Sequence, residues 1–370
     1  MKSKTKVLLV QLGANGDCLF VTTIAKQIKE VDYPGCELTW MVGSKYRAIL
    51  TNNEYVDQII EIQLSESYNL SNARENISNT LKEIKAYEKY DEVFITDYYL
   101  KTRRNWFGTI RSSLFRQYNH PLKINLTPHL VLKTDEIDHV RAFANTHLLS
   151  KENGFNILFE CAPLSGQSDM TVARALEIAQ LLIQDNSKTK VILSSANKIN
   201  STNENIIDAS SLTWRENAEL IKYCHLLLGC SSGISWINTS DWTPSIPTIQ
   251  TINPSYFNNM ISCSMKLDFN YFKLPTDAII EMHNANNLEI VEAVKLSMIS
   301  FNDAKKKFDK EVPFIYSLTF LRELRGYYSI TDLFLLLKKI SKNWRQMEYI
   351  YLLNKPTWLQ PAKWFKKLGN

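Results

Sequence analysis

Residues 7–24 read VLLVQLGANGDCLFVTTI, and the parsing of this stretch decides the fold. An apolar run over 7–12 has the length and composition of a buried strand. Gly13 and Gly16 then bracket a tight turn, where the missing Cβ frees the backbone and lets another molecule approach it. From Asp17 to Glu30 the residues Phe20, Ile24 and Ile28 recur on one helical stripe. The unit is strand, glycine turn, helix. Its spacing is G-x-x-G rather than G-x-G-x-x-G, and no acidic residue closes the next strand, so a dinucleotide site is poorly supported. Asp17 stands near the helix N-terminus, where a carboxylate is either a cap or a reactive group held by the helix dipole.

The same rhythm extends outward. LTWMV (38–42) and VFITD (93–97) read as further strands with helical segments between them. The polar stretch SKENG (150–154) breaks the pattern and reads as a linker. Strand–helix alternation then resumes with FNILFE (155–160), TVARALEIAQLLI (171–183) and KVILS (190–194). Thr213 and Glu216 form a capping-box pattern ahead of another helix, and LLLG (226–229) and PTIQTI (247–252) are short buried strands. Two successive α/β units predict two Rossmann-like domains, residues 1–150 and 155–285, facing a cleft. From 286 the pattern turns helical, with a basic C-terminal extension to residue 370.

Composition narrows the class. Six cysteines without a paired framework suit reduced thiols in a cytosolic setting. The opening MKSKTKVLLVQLGANGD has too short an apolar run for a signal peptide, and no apolar stretch approaches a bilayer-spanning length. The net charge is +5. Residues 301–370 carry 14 Lys and Arg against 6 Asp and Glu, so the basic surplus belongs to the tail. SITDLFLLLKKISKNW (329–344) has a broad apolar face suited to packing on the body. Residues 358–370 mix Trp364, Phe365 and Leu368 with Lys363, Lys366 and Lys367, which suits an anionic inner-membrane surface. No nucleic-acid-binding module is present, so no nucleic-acid partner is expected.

Three loops follow strands and precede helices, where open α/β sheets bind ligands. GANGD is the first. In GCSSGISW (229–236), Ser231, Ser232 and Gly233 could present hydroxyls and N–H groups to a phosphate, or form an ordinary serine-rich turn. In ECAPLSGQSDMT (160–171), Ser165, Gly166, Gln167 and Ser168 suit an anion or a sugar hydroxyl, and Glu160 is either a sugar contact or a surface carboxylate. The six histidines lack metal-ligand spacing, D-x-D is absent, and so is G-x-S-x-G. The basic run Lys101, Arg103, Arg104, Arg111, Arg116 and Lys123 would suit an acidic or lipid-linked glycan, or form a solvated helix face.

VQLGANGDCLFVTTIAKQIKE, LTWMVGSKYRAIL, NNEYVDQIIEI and SSLTWRENAELIKYCHLLLGCSSGISW, in this order, resemble family 9 glycosyltransferases, the ADP-heptose:lipopolysaccharide heptosyltransferases and their relatives. The likeness covers roughly residues 5–255. It implies a GT-B fold, with the acceptor on the N-terminal domain near Gly13, Asn15 and Gly16 and a nucleotide-diphosphate sugar on the C-terminal one. It also implies Asp17 as general base, Ser232 and Gly233 at the donor phosphates, inversion at the anomeric carbon and no metal. The family's donor-loop aspartate falls at Ser231 and its histidine at Trp236, and its donor-domain lysine has Ser168 or Asp169 nearest. The expected protein is a cytoplasmic, membrane-peripheral glycosyltransferase of bacterial surface glycan assembly (lipopolysaccharide core, O-antigen or capsule). A non-catalytic sugar-nucleotide- or glycan-binding relative is the alternative.

Overall fold

The computed structural model describes residues 4–64, 70–97, 109–152, 154–163, 168–184, 186–253 and 264–310. Two all-parallel sheets organise them. The first holds β1 (Lys6–Val10), β2 (Glu37–Gly43), β3 (Gln58–Ile62) and β4 (Glu92–Ile95), in the order β3-β2-β1-β4. The second holds β5 (Phe155–Glu160), β6 (Thr189–Ser194), β7 (Ile206–Asp208), β8 (Leu226–Gly229), β9 (Thr248–Ile252) and β10 (Ile279–His283), in the order β10-β9-β8-β5-β6-β7. The helices are α1 (Asn15–Gln27), α2 (Leu70–Glu83), α3 (Ala86–Lys89), α4 (Ile110–Tyr118), α5 (Thr134–Thr146), α6 (Val172–Ile183), α7 (Glu216–Leu220), α8 (Gly233–Ile237), α9 (Met265–Tyr271), α10 (Asn287–Ile299) and α11 (Phe301–Phe308).

The apolar runs become central strands because a parallel strand is covered on both faces. Along β1, Val7 and Leu9 enter one core, while Leu8 and Val10 enter another. β1 pairs with β2 through Val7–Leu38 and with β4 through Val7–Glu92. In the second sheet, Ile157 and Phe159 of β5 pack on α6 and α10 residues such as Ile178 and Ile290. Side-chain caps set several helix starts: Thr109 accepts from Ser112 N, Thr171 from Arg174 N and Ser264 from Leu267 N. The predicted Thr213–Glu216 capping box forms, with Thr213 N donating to Glu216 Oε2 at 2.6 Å and Glu216 N to Thr213 Oγ1 at 3.2 Å.

Strands 155–160 and 226–229 coincide with the sequence reading, whereas β3, β7 and β10 are additions to it. The helices α10 and α11, which the sequence placed in a separate helical region, pack Ile290, Val294, Ala304 and Phe308 into the core of the second sheet. The basic segments 329–344 and 358–370 lie outside the described residues.

The strand order positions the loops. In each sheet the chain steps outward from the first strand and later returns to its other side, between β1 and β4 and between β5 and β8. Such switch points open a crevice beyond the strand C-termini. GANGD and Asp97 follow β1 and β4, and Glu160 and the SSG loop follow β5 and β8.

Candidate functional site

Local packing fixes the shape of the loop after β1. Gly43 N donates to Leu12 O at 2.9 Å, tying the loop to the end of β2. A Cβ on Gly13 would lie 2.2 Å from the Tyr46 ring, so only glycine admits that contact. Asp17 stands at the third helical position, and its Oδ2 accepts from Ala14 N at 3.3 Å, so it is a helix cap. It is also buried, at 7 % exposure, close to the fully buried Asp97. Burial, then the charge of Asp97, pushes the Asp17 carboxyl up from 3.8 to about 8, against the opposing hydrogen bond from Ala14. Asp17 is thus a helix cap whose carboxyl is held up by burial and by Asp97.

The loop after β8 is held by a buried polar network. Glu160, 2 % exposed at the end of β5, accepts from Cys230 N at 2.9 Å, from Ser235 Oγ at 2.6 Å and from Ser232 Oγ. Ser231 takes the left-handed conformation at φ 54° and donates its N–H to Gln250 Oε1 at 2.6 Å. A Cβ on Gly229 would fall 2.3 Å from Ser235 Oγ, so glycine makes room for this network. The satisfied carboxylate therefore shapes the loop from beneath.

The loops meet across one cleft of 460 Å³, within the usual range of about 300–1,000 Å³ for small-molecule sites. A Cβ on Gly16 would lie 3.8 Å from Gly233 Cα, so the two glycine turns face each other at close range. From the first half come Ala14, Asn15, Gly16, Lys45 and Tyr46; from the second, Glu160, Ser194, Ser195, Trp214, Ser232 and Gly233. Among the described lining residues Lys45 is the one cation.

The sequence-predicted residues divide accordingly. Asn15, Gly16, Glu160, Ser232 and Gly233 come together on the cleft wall. Gly13 packs under Tyr46, and Asp17 directly follows the lining residues Ala14–Gly16 without itself being one of them. Ser231 is 1 % exposed and turned into the Gln250 network, which corrects its expected place at a ligand. Ser168 is likewise buried, its Oγ accepting from Met170 N at 3.3 Å. Glu160 corrects the surface-carboxylate reading, because three donors occupy it. Ser165, Gly166, Gln167, Arg103 and Arg104 lie outside the described residues.

Arg111 is the clearest correction. Expected on a basic acceptor flank, it is 1 % exposed and pairs with Asp268 of α9 through Nε at 2.7 Å and through Nη2. Four rings surround the guanidinium, with centroids at 4.9 Å for Phe272, 5.3 Å for Phe269, 5.5 Å for Phe20 and 5.8 Å for Trp236. The pair pins the two halves together and is closed to ligands.

Sequence reasoning missed Lys45, Tyr46, Ser194, Ser195, Trp214 and Asn217, all on the cleft wall. The strand-end rule could have found four of them, since Lys45 and Tyr46 follow β2 and Ser194 and Ser195 close β6. Trp214 and Asn217 gave no signal, being an aromatic and an amide in the first turn of a capped helix.

No family model matches the chain, and no curated protein matches its sequence. Solved structures do share its architecture. One is the glycosyl transferase family 9 structure from Veillonella parvula DSM 2008, with a TM-score of 0.53 at 13 % identity over 85 % of this chain and 95 % of that one. Another is the ADP-heptose lps heptosyltransferase II of E. coli, with a TM-score of 0.51 at 13 % identity over 80 % of this chain and 99 % of that one. The shared feature is the fold. The chain has the GT-B architecture of family 9 heptosyltransferases, two parallel-sheet α/β units whose strand C-termini meet at one cleft.

Proposed function

We propose that the chain is a metal-independent, inverting glycosyltransferase that moves a sugar from a nucleotide-diphosphate donor to a hydroxyl of a bacterial surface glycan. The observation that supports this most is the meeting of two switch-point loops, one per half, at a single cleft. The two solved structures described above are by their names glycosyltransferases, and one is an ADP-heptose heptosyltransferase, which supports the same reaction class.

In this reading the second half holds the donor, with Ser194, Ser195 and Ser232 offering hydroxyls along the cleft and Lys45 reaching from the first half as the cation for the diphosphate. The acceptor oxygen approaches over Ala14–Gly16 and attacks the anomeric carbon from the face opposite the diphosphate. A carbon–oxygen bond forms as the bond to the diphosphate oxygen breaks, and the leaving group departs with the electron pair. The proton of the acceptor hydroxyl passes to ionised Asp17, a general base of the kind that contributes about 10²–10⁴-fold. The acceptor is a lipopolysaccharide core, O-antigen or capsule glycan. The reaction is placed in the cytoplasm at the inner membrane face, where the basic tail would dock.

One observation favours a second reading. Asp17 is buried, bonded to Ala14 N and absent from the cleft lining, as expected of a cap in a non-catalytic sugar-nucleotide-binding protein. A thermal-shift panel of ADP, UDP, GDP and CDP with their sugar derivatives tests the binding that both readings share. Ligand at a hundredfold its Kd stabilises by about 2.7 kcal/mol, so one nucleotide class is expected to raise Tm selectively. No shift with any member would overturn donor binding.

A further inference from the structure

Two unpartnered polar atoms lie at the seam of the cleft. Trp214 Nε1 and Asn217 Oδ1 are buried with no hydrogen-bond partner in the described structure, and both residues line the cavity. Asn217 is 2 % exposed. Its Nδ2 donates to Thr213 O at 2.9 Å, which fixes the amide so that the free atom is the acceptor oxygen. Asn217 N also donates to Thr213 O at 3.2 Å, winding this segment into a helical turn. Residues three apart on such a turn share a face. The cleft wall thus carries one neutral donor and one neutral acceptor side by side.

A buried polar group without a partner is costly, and a ligand that supplies the partner relieves that cost. We infer that Trp214 and Asn217 form the subsite that selects the transferred sugar, the indole N–H donating to one hydroxyl and the amide oxygen accepting from another. Both groups are uncharged, which suits a polyol better than a phosphate. Their position decides between sugar and base. A Cβ on Gly233 would lie 2.9 Å from Trp214 Nε1, 3.7 Å from Asn15 Cβ and 3.8 Å from Gly16 N. The indole nitrogen therefore sits where the two halves touch, and the transferred sugar must reach that seam to meet the acceptor. Both atoms are covered in the ligand-free molecule, so recognition includes an opening of the cavity wall over them, with the Asn217 amide still held at Thr213 O.

The inference rests on the donor reading of the cleft, and binding calorimetry separates the two. Wild-type protein, Trp214→Phe and Asn217→Ala are titrated with UDP, ADP and GDP and with UDP-glucose, ADP-glucose and GDP-mannose. Trp214→Phe keeps the aromatic ring and removes the N–H, so it decides the matter even if Asn217→Ala folds poorly. The expected result is a tenfold or greater loss of affinity for the nucleotide sugar, with affinity for its parent diphosphate unchanged. Equal losses for both ligands, or no loss for either, would overturn the sugar subsite while leaving the donor reading in place. Failure of the wild type to bind any of the six, together with no thermal shift from CDP, would overturn both.

Discussion

At Asp17 one carboxyl caps Ala14 and also feels the neighbouring Asp97, and the two influences oppose each other. Burial and Asp97 prevail, raising the group to about 8. At neutral pH the proton is mostly on, so the fraction able to accept a proton grows as pH rises. Transfer through Asp17 therefore predicts a rate that climbs between pH 6.5 and 8.5. Asp97→Asn removes a like charge, which lowers the Asp17 pKa and moves the climb to lower pH. Rate–pH profiles of both proteins check this, and an unmoved midpoint would separate Asp97 from the titration. The GxxGD turn and the place of Asp17 in it were legible because five adjacent residues encode them. Asp97 was read only as the end of a strand, since its partnership with Asp17 spans two strands of the sheet.

Among the elements, continuous apolar runs such as 155–160 and 226–229 declared themselves as strands because both their faces are covered. β3 escaped notice because QIIEI is a partly exposed edge strand, and β7 because three residues carry too little pattern. β10 hides a fully buried Glu281 in its middle, which breaks the apolar signal. α4 misled for a different reason. Its basic residues look like a solvated face, but the partner that buries Arg111 lies 157 residues away on α9. Removing one member strands a buried charge, at about 3–5 kcal/mol, whereas replacing both by apolar side chains is often close to neutral. We therefore expect Arg111→Met to lose several kcal/mol in urea unfolding and Arg111→Met with Asp268→Leu to recover most of it. A small single-variant loss would mean that the pair does not hold α4 to α9.

Over the whole molecule, the two-unit plan was readable from the repeated strand–helix rhythm, but the seam between the units was not. It is assembled from contacts that join distant segments. Arg215 pairs with Glu136 at 2.7 Å and donates to the carbonyls of Ala48, Thr51 and Val131. His129 meets Asp241 at 2.7 Å, and Phe20 packs edge-on against Trp236 at 4.8 Å. Trp236, where the resemblance implied a donor-loop histidine, fills the shared core between α1 and α8. The central claim is that this seam is a transfer site with Asp17 as its base, and Asp17→Asn tests it most directly. Asparagine can keep the cap to Ala14 but cannot take a proton. With the nucleotide sugar selected by the thermal-shift panel and a lipid-linked glycan acceptor, mass spectrometry should show donor binding retained and sugar transfer reduced by about a hundredfold or more. Transfer at the wild-type rate by Asp17→Asn would contradict it.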